Sequence, residues 1–165
     1  MPPIKIRRAK EADAEAVVAV WKEMALLHQK WEPAVWALVA EPETPALNYY
    51  RGFINHKHIV FFVAEENQQI IGFLSACQGS RPPVLRQRPY GQILECCVAA
   101  KARRKGVGRL LVAKAFAWFK KQGVEEIKVN YATKNAAAKK FWQALDFRPY
   151  QATAILALKP APKKK

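Results

Sequence analysis

Between Gly91 and Lys121 an apolar run, GQILECCVA, a cationic stretch, KARRKGVG, and an amphipathic run, VGRLLVAKAFAWFKK, come in close succession. No other feature of this 165-residue chain limits its possible folds as strongly. The first run has the composition of a strand. In the last, Val107, Leu111, Val112, Ala115, Trp118 and Phe119 share one side of a helix, with Arg109, Lys114, Lys120 and Lys121 opposite. Gly123 suits the end of that helix. A strand feeding a helix through a short loop is half of an α/β unit. In the loop, Lys101, Arg103, Arg104, Lys105 and Arg109 surround Gly106 and Gly108. The start of a helix has N–H groups without carbonyl partners and a partial positive end. Glycine admits a ligand to the backbone because no Cβ intrudes. Together these features suit a pyrophosphate.

The remaining segments extend the pattern. IKIRRA (4–9) reads as a strand, and residues 11–29 as a helix carrying Val17, Val20, Trp21, Met24 and Leu27 at helical spacing. A second helix is expected near 45–55, in a region broken by Pro33, Pro42 and Pro45. HIVFFVAEE and QIIGFLSACQGS flank Asn67-Gln68 and read as an antiparallel hairpin. A Pro-rich loop, SRPPVLRQRPYG, precedes the run at Gly91. EEIKVNYA (125–132) reads as a strand, NAAAKKFWQAL (135–145) as a helix, and FRPYQATAILAL (147–158) as a closing strand or pair of strand segments. The order is β-α-α-β-β-β-α-β-α-β, without repeat or linker, which favours one α/β domain.

Charge and motif narrow the ligand. The net charge of +15 attracts polyanions or a phosphorylated small molecule. The closing PAPKKK reads as a solvated tail, and no zinc-finger or RNP-type motif makes nucleic acid a required partner. The P-loop pattern G-x-x-x-x-G-K-[ST] is absent. The dinucleotide fingerprint would need Gly at Leu111 and an early place in the chain. Three cysteines, two adjacent (Cys96, Cys97), form neither a disulfide framework nor a metal spacing, so no metal is expected. No apolar run suggests a membrane span, and the first residues lack a signal peptide's apolar core. A cytoplasmic protein is expected.

RRKGVG (103–108) matches Arg/Gln-x-x-Gly-x-Gly/Ala, and ECCVAAKARRKGVGRLL resembles the fourth strand, loop and third helix of the GNAT superfamily of acyl-CoA-dependent N-acyltransferases. NAAAKKFWQALDF resembles that superfamily's second block, Asn-x-x-Ala-x-x-Phe-Tyr/Trp-x-x-x-Gly-Phe, with Asp146 in place of the glycine. The resemblance implies a single domain over 1–159, with a mixed, mostly antiparallel sheet flanked by about four helices, and a basic tail over 160–165. It implies acetyl-CoA as donor. Backbone N–H groups from Arg104 through Lys105, Gly106, Val107 and Gly108 to Arg109 would hold the pyrophosphate, with the basic side chains, Arg103 included, adding charge. Cys96 and Val98 would meet the pantetheine arm as a neighbouring strand would, and the Val98 N–H would polarise the thioester carbonyl. Asn135 would hydrogen-bond the arm and Phe141 would pack on it. Asn135 also reads as a helix cap, and Phe141 lies on an apolar stripe with Ala138, Trp142 and Leu145.

Acetyl transfer to an amine needs a base for the ammonium and a donor for the oxyanion. Glu95 is the leading base, a carboxylate inside an apolar strand, where it is costly unless paired or near a cleft. Strict alternation would put Ile93, Glu95 and Cys97 on one face and Leu94, Cys96 and Val98 on the other. Glu95 also reads as a structural carboxylate. His28, near the end of the first helix, is a candidate for the acceptor pocket or a structural histidine. Many relatives carry Tyr where this chain has Trp142, and an indole cannot give a phenolic proton to the departing thiolate. Tyr131 is the substitute acid. Cys96 and Cys97 read as small apolar residues rather than nucleophiles. The expected activity is N-acetyl transfer to a primary amine, small-molecule or peptide, by direct attack, with a homodimer left open. The rival readings are a CoA-binding regulatory protein without turnover and a basic nucleic-acid-binding protein.

Overall fold

A computed structural model describes residues 3–85 and 89–156; the basic tail at 160–165 lies outside them. The elements are β1 (Lys5–Arg8), a 3-10 turn (Glu11–Asp13), α1 (Ala14–Trp31), α2 (Glu43–Asn55), β2 (Ile59–Glu66), β3 (Gln69–Gly79), β4 (Tyr90–Val98), a second 3-10 turn (Ala100–Ala102), α3 (Val107–Lys121), β5 (Glu126–Val129) and α4 (Ala136–Gln143). The strands form one sheet in chain order, antiparallel except for the parallel β4–β5 pair. The expected mixed, mostly antiparallel sheet with four helices is present.

Local chemistry accounts for most of these elements. β2 and β3 pair across Asn67 and Gln68, whose φ angles of 50° and 64° match the twist of a two-residue hairpin turn. Pro45 is accommodated because it falls in the first turn of α2, where N–H groups have no helical partner anyway. The Arg7 guanidinium donates to Asp13 (2.7 and 2.8 Å) and to Glu65 (2.7 Å), tying β1 to β2 and to the approach of α1.

The sheet has an apolar layer on each side. α1 and α2 cover one face, where Val17, Val18, Val20, Ala46 and Tyr50 meet Phe61, Val63, Phe73 and Cys97. α3 covers the other, where Val107, Leu111, Val112, Ala115 and Phe119 pack with Trp142 of α4 onto Phe62, Leu74, Ala76 and Ile93. The predicted apolar side of α3 is therefore buried, with Trp118 packed at its edge.

Two expectations are corrected. Residues 147–156 form no strand, and the last two residues of that prediction lie outside the described residues. An alternating apolar pattern becomes a strand only where another edge takes its hydrogen bonds, and Pro149 has no N–H to offer. Tyr150, Ile155 and Leu156 are exposed. The strand expected over 125–132 is limited to Glu126–Val129, because its partner bends away after Ile93.

Candidate active site

The bend comes from a bulge. Ser75 pairs with Glu95 and Ala76 with Ile93, so Leu94 is an extra residue in β4. The expected shared face for Ile93, Glu95 and Cys97 is thereby broken. Ile93 packs under α3, whereas Cys97 packs under α1 and α2. Glu95, two residues before Cys97, turns to the α1–α2 side and reaches Tyr50. Cys96 and Val98 pack on the α3 side. One inserted residue exchanges the faces of everything beyond it.

The bulge also opens a cleft. β4 and β5 pair only from Tyr90↔Glu126 to Ile93↔Val129. Beyond that point β4 is bonded to β3 alone among the described strands. The Ala99 N–H donates to the Ile71 carbonyl at 3.0 Å. In an antiparallel ladder this places the N–H and C=O of Cys97 toward β3 and those of Cys96 and Val98 away from it, into the cleft. Consistently, the Val98 carbonyl accepts from Arg103 Nε at 3.0 Å, on the side away from β3.

The cleft leads to the start of α3. Gly106 caps this helix with φ 81°, a left-handed conformation suited to glycine, and exposed Arg104 shares it with φ 64°. The Leu110 N–H bonds the Gly106 carbonyl at 3.1 Å, so the N–H groups of Val107, Gly108 and Arg109 precede any helical acceptor. The side chains of Arg103, Arg104, Lys105 and Arg109 are exposed, while Val107 is buried. Gly108 has a packing role. A Cβ there would lie 3.2 Å from two ring atoms of Phe141 and 3.9 Å from Val98. α3, α4 and β4 thus converge at Gly108. Across from it, Asn135 caps α4 by accepting from the Ala138 N–H at 2.9 Å. Its side-chain nitrogen has no partner among the described residues. The loop before α3 is braced by Glu23 of α1, which accepts from the Ala100 N–H at 2.6 Å.

Glu95 faces a buried aromatic box. Tyr50 is fully buried, its ring set against Trp21, Tyr49, Phe61 and Phe73. Its hydroxyl donates to Glu95 Oε1 at 2.9 Å. Glu95 Oε2 and the hydroxyl of Ser75, the residue directly opposite, are both buried without a partner among the described residues. Burial drives the Glu95 carboxyl above its ordinary value, and the Tyr50 bond partly offsets this. A carboxyl shifted upward is a better proton acceptor for an ammonium than a free carboxylate. Tyr50→Phe removes that donor. We expect a further rise at Glu95 and a loss of about 1–3 kcal/mol in stability, from one more unsatisfied buried oxygen. Urea denaturation and an NMR titration of the carboxyl carbon measure both.

The other predicted residues fall into place around the cleft. His28, in the last turn of α1, has its ring 4.4 Å from that of Trp36 and 5.3 Å from that of Trp31, and burial lowers its pKa. Tyr131 is half-buried just beyond β5, packed at the edge of the α3–α4 layer, with no hydrogen bond to a described residue. Trp142 is buried between Phe141 and Phe147, so it serves the core. The thiols are poor nucleophiles, since burial pushes Cys96 up to about 12 and Cys97 well above its ordinary value. An open groove of about 460 Å3 between β1 and α3 is lined by Ile6, Arg8, Phe62, Lys114, Trp118 and Lys121, among others, and none of the predicted site residues borders it.

Tyr50, Glu23, Trp36 and Lys134 escaped the sequence reading. Lys134 donates to the Trp31 carbonyl at 2.9 Å and pairs with Glu32 at 2.7 Å, clasping the β5–α4 loop to the end of α1. None of these residues belongs to a motif; Tyr50, Glu23 and Lys134 matter through partners far away in sequence, and Trp36 through His28 across the end of α1.

β4 thus carries a bulge and parts from its parallel neighbour beside a glycine-marked helix start. A sequence model of the Acetyltransferase (GNAT) family matches residues 21–147, and the chain belongs to that family. Among curated relatives, N-acetyltransferase 8 of Homo sapiens is 23% identical over 125 residues, 70% of this chain and 54% of that protein. The chain spans about half the length of the curated relatives it matches. Among solved structures, a mutant of the BH1408 protein of Bacillus halodurans aligns at TM-score 0.85 with 22% identity, over 93% of this chain and 99% of that one. The aminoglycoside N-acetyltransferase AAC(6′)-Iy, solved in complex with CoA, aligns at TM-score 0.71 with 19% identity, over 97% of each chain. No helix among the described residues is long and apolar enough to cross a membrane, and no three described His, Cys, Asp or Glu residues are grouped to hold a metal.

Proposed function

We propose that this chain transfers an acetyl group from acetyl-CoA to a primary amine, with both substrates bound together and no covalent enzyme intermediate. The observation that carries this reading is the cleft between β4 and β5, which joins three features. The outward backbone groups of Cys96 and Val98 line it, the N–H groups at the start of α3 end it, and Glu95 stands at its bulge. The coenzyme would supply an activated thioester. The loop from Arg104 to Arg109 offers main-chain N–H donors and exposed cations to its pyrophosphate. Arg103 adds charge, and it would release the Val98 carbonyl to an arm lying along β4. The Asn135 amide nitrogen and the Phe141 ring flank that arm from α4.

Residues of this chain then divide the chemistry. Glu95 takes the ammonium proton, directly or through a water. The neutral amine attacks the thioester carbonyl carbon while the Val98 N–H receives the developing oxyanion. The carbon–sulfur bond breaks as the oxyanion collapses. Tyr131 gives the proton that leaves CoA as a thiol, and the extra proton on the attached nitrogen passes through water to restore Tyr131 as the amide forms. Holding both reactants in line contributes several kcal/mol by orientation. A screen of amines with acetyl-CoA, read by product mass, tests this reading. Acetylated product is expected. CoA binding without product from any amine would favour the regulatory reading, since Trp142 cannot serve as the phenolic acid.

A further inference from the structure

The carboxyl at the bulge has a polar neighbour that the chemistry above leaves unused. Among the described residues, Ser75 is the sole serine, threonine, amide or charged residue in the buried core, with 0% exposure. It lies in β3, paired directly with Phe61 of β2 and with Glu95 of β4. Phe73, two residues earlier, shares its face of the sheet. On that face the rings of Phe61, Phe73 and Tyr50 pack together, with centroids 5.4 to 6.1 Å apart. An alanine would fill such a place without a polar atom to desolvate.

Two side-chain polar atoms are buried without a partner among the described residues, Ser75 Oγ and Glu95 Oε2. They belong to one cross-strand pair. Directly opposite residues carry their Cβ atoms about 4.5–5.5 Å apart on the same face. The two oxygens are therefore neighbours, yet they make no direct hydrogen bond. Leaving both unpaired in an aromatic layer is costly. A gap between a hydroxyl and a carboxylate suits one water, which finds in them the two polar partners it needs. The register shifts immediately beyond this pair, between Ser75 and Ala76, so the ladder is disrupted just where that room is required.

We propose that Ser75 and Glu95 hold one buried water between them, hydrogen-bonded to Oγ and Oε2, which makes Ser75 a positioning residue for Glu95. Tyr50 fixes Oε1 and the water fixes Oε2, so the carboxyl is held at both oxygens. A donor to the ionised form favours it, and this offsets burial only in part, as the Tyr50 bond does. The role in catalysis rests on the acetyltransferase reading; the water does not. The ionisable groups facing Glu95 are Tyr49 and Tyr50 of α2 and Cys97 of β4, all raised above their ordinary values and neutral near pH 7. Glu95 is thus the group that titrates here on the acid side.

The test is Ser75→Ala in the full chain. An NMR titration of the Glu95 carboxyl carbon is expected to move its midpoint up by about one pH unit, the scale of one hydrogen bond to a charged group. An unbridged hydroxyl gives the reverse: no shift, and a Tm unchanged or raised as an unpaired polar group leaves the core. That result would overturn the proposal. A crystal structure of the wild type should show a water within about 2.7–3.2 Å of both Oγ and Oε2; no water there would also overturn it. With an amine that the acetyl-CoA screen shows to be acetylated, the acid limb of kcat/KM should move with the carboxyl, since the amine's own ionisation is common to both proteins. A shifted carboxyl with an unmoved rate profile would remove the role in catalysis. If no amine is acetylated, the transferase reading fails, while the titration and the crystal structure still decide this proposal.

Discussion

In Glu95→Gln, kcat falls by about 10²- to 10⁴-fold while the dissociation constant for CoA stays unchanged. The substitution removes the proton acceptor and nothing in the loop before α3. The glutamine carbonyl still accepts from the Tyr50 hydroxyl, so the buried bond is kept. The wild-type rate rises with pH as Glu95 ionises, with its midpoint above the ordinary carboxylate value of 4.5 because the carboxyl is buried. The variant lacks this acid limb. An undiminished rate across the pH range would reject Glu95 as the base.

The same substitution has a stability signature of opposite sign. Glu95 has a higher pKa in the folded state than in the unfolded chain, so the native state binds its proton more tightly. The stability linked to that proton is fully present below the unfolded pKa and is lost as pH rises through the folded value. Glutamine never ionises. Glu95→Gln therefore matches the wild type in Tm at acid pH and becomes the more stable protein as pH approaches neutrality. Thermal denaturation at several pH values reads this directly. A variant less stable at neutral pH would mean that the ionised carboxylate is paired in a way its neighbours do not suggest.

Gly108→Val carries the second large effect, a rise of tenfold or more in the dissociation constant for CoA. Its Cβ would already lie 3.2 Å from the ring of Phe141, and the branches of valine add to the crowding. α4 must give way, or the first turn of α3 must shift, and either displaces the N–H groups assigned to the pyrophosphate. The cost in stability is about 1–3 kcal/mol, as for other overpacked contacts. Circular dichroism and calorimetric titration with CoA separate folding from binding. A folded variant with unchanged CoA affinity would count against the phosphate-binding role of this loop.

Much of the fold was legible because its determinants are local. The amphipathic period of α3, the hairpin at Asn67-Gln68 and the loop with Gly106 and Gly108 each signal themselves within a few residues, and each is present. Asn135 was readable both as a cap and as a ligand group. Its oxygen makes the cap, and its nitrogen remains for the other role. The closing strand failed because apolar alternation over 147–156 says nothing about whether an edge is there to pair with. The facing of β4 failed because a bulge is a property of two strands, and Leu94 looks like any strand residue when read alone.

By itself, then, the order of amino acids determined the four helices and most of the strands, where the glycine-marked loop sits and which strand carries the carboxylate. Only the tertiary structure decided that Glu95 turns to Tyr50, that β4 parts from β5 to open a cleft, and that the aromatic end of α1 lies beside the loop before α4. The physical reason is range. Helical period and turn geometry depend on neighbours in the chain, whereas strand register, burial of a carboxyl and the meeting of distant side chains depend on how the whole sheet and its two helical layers pack.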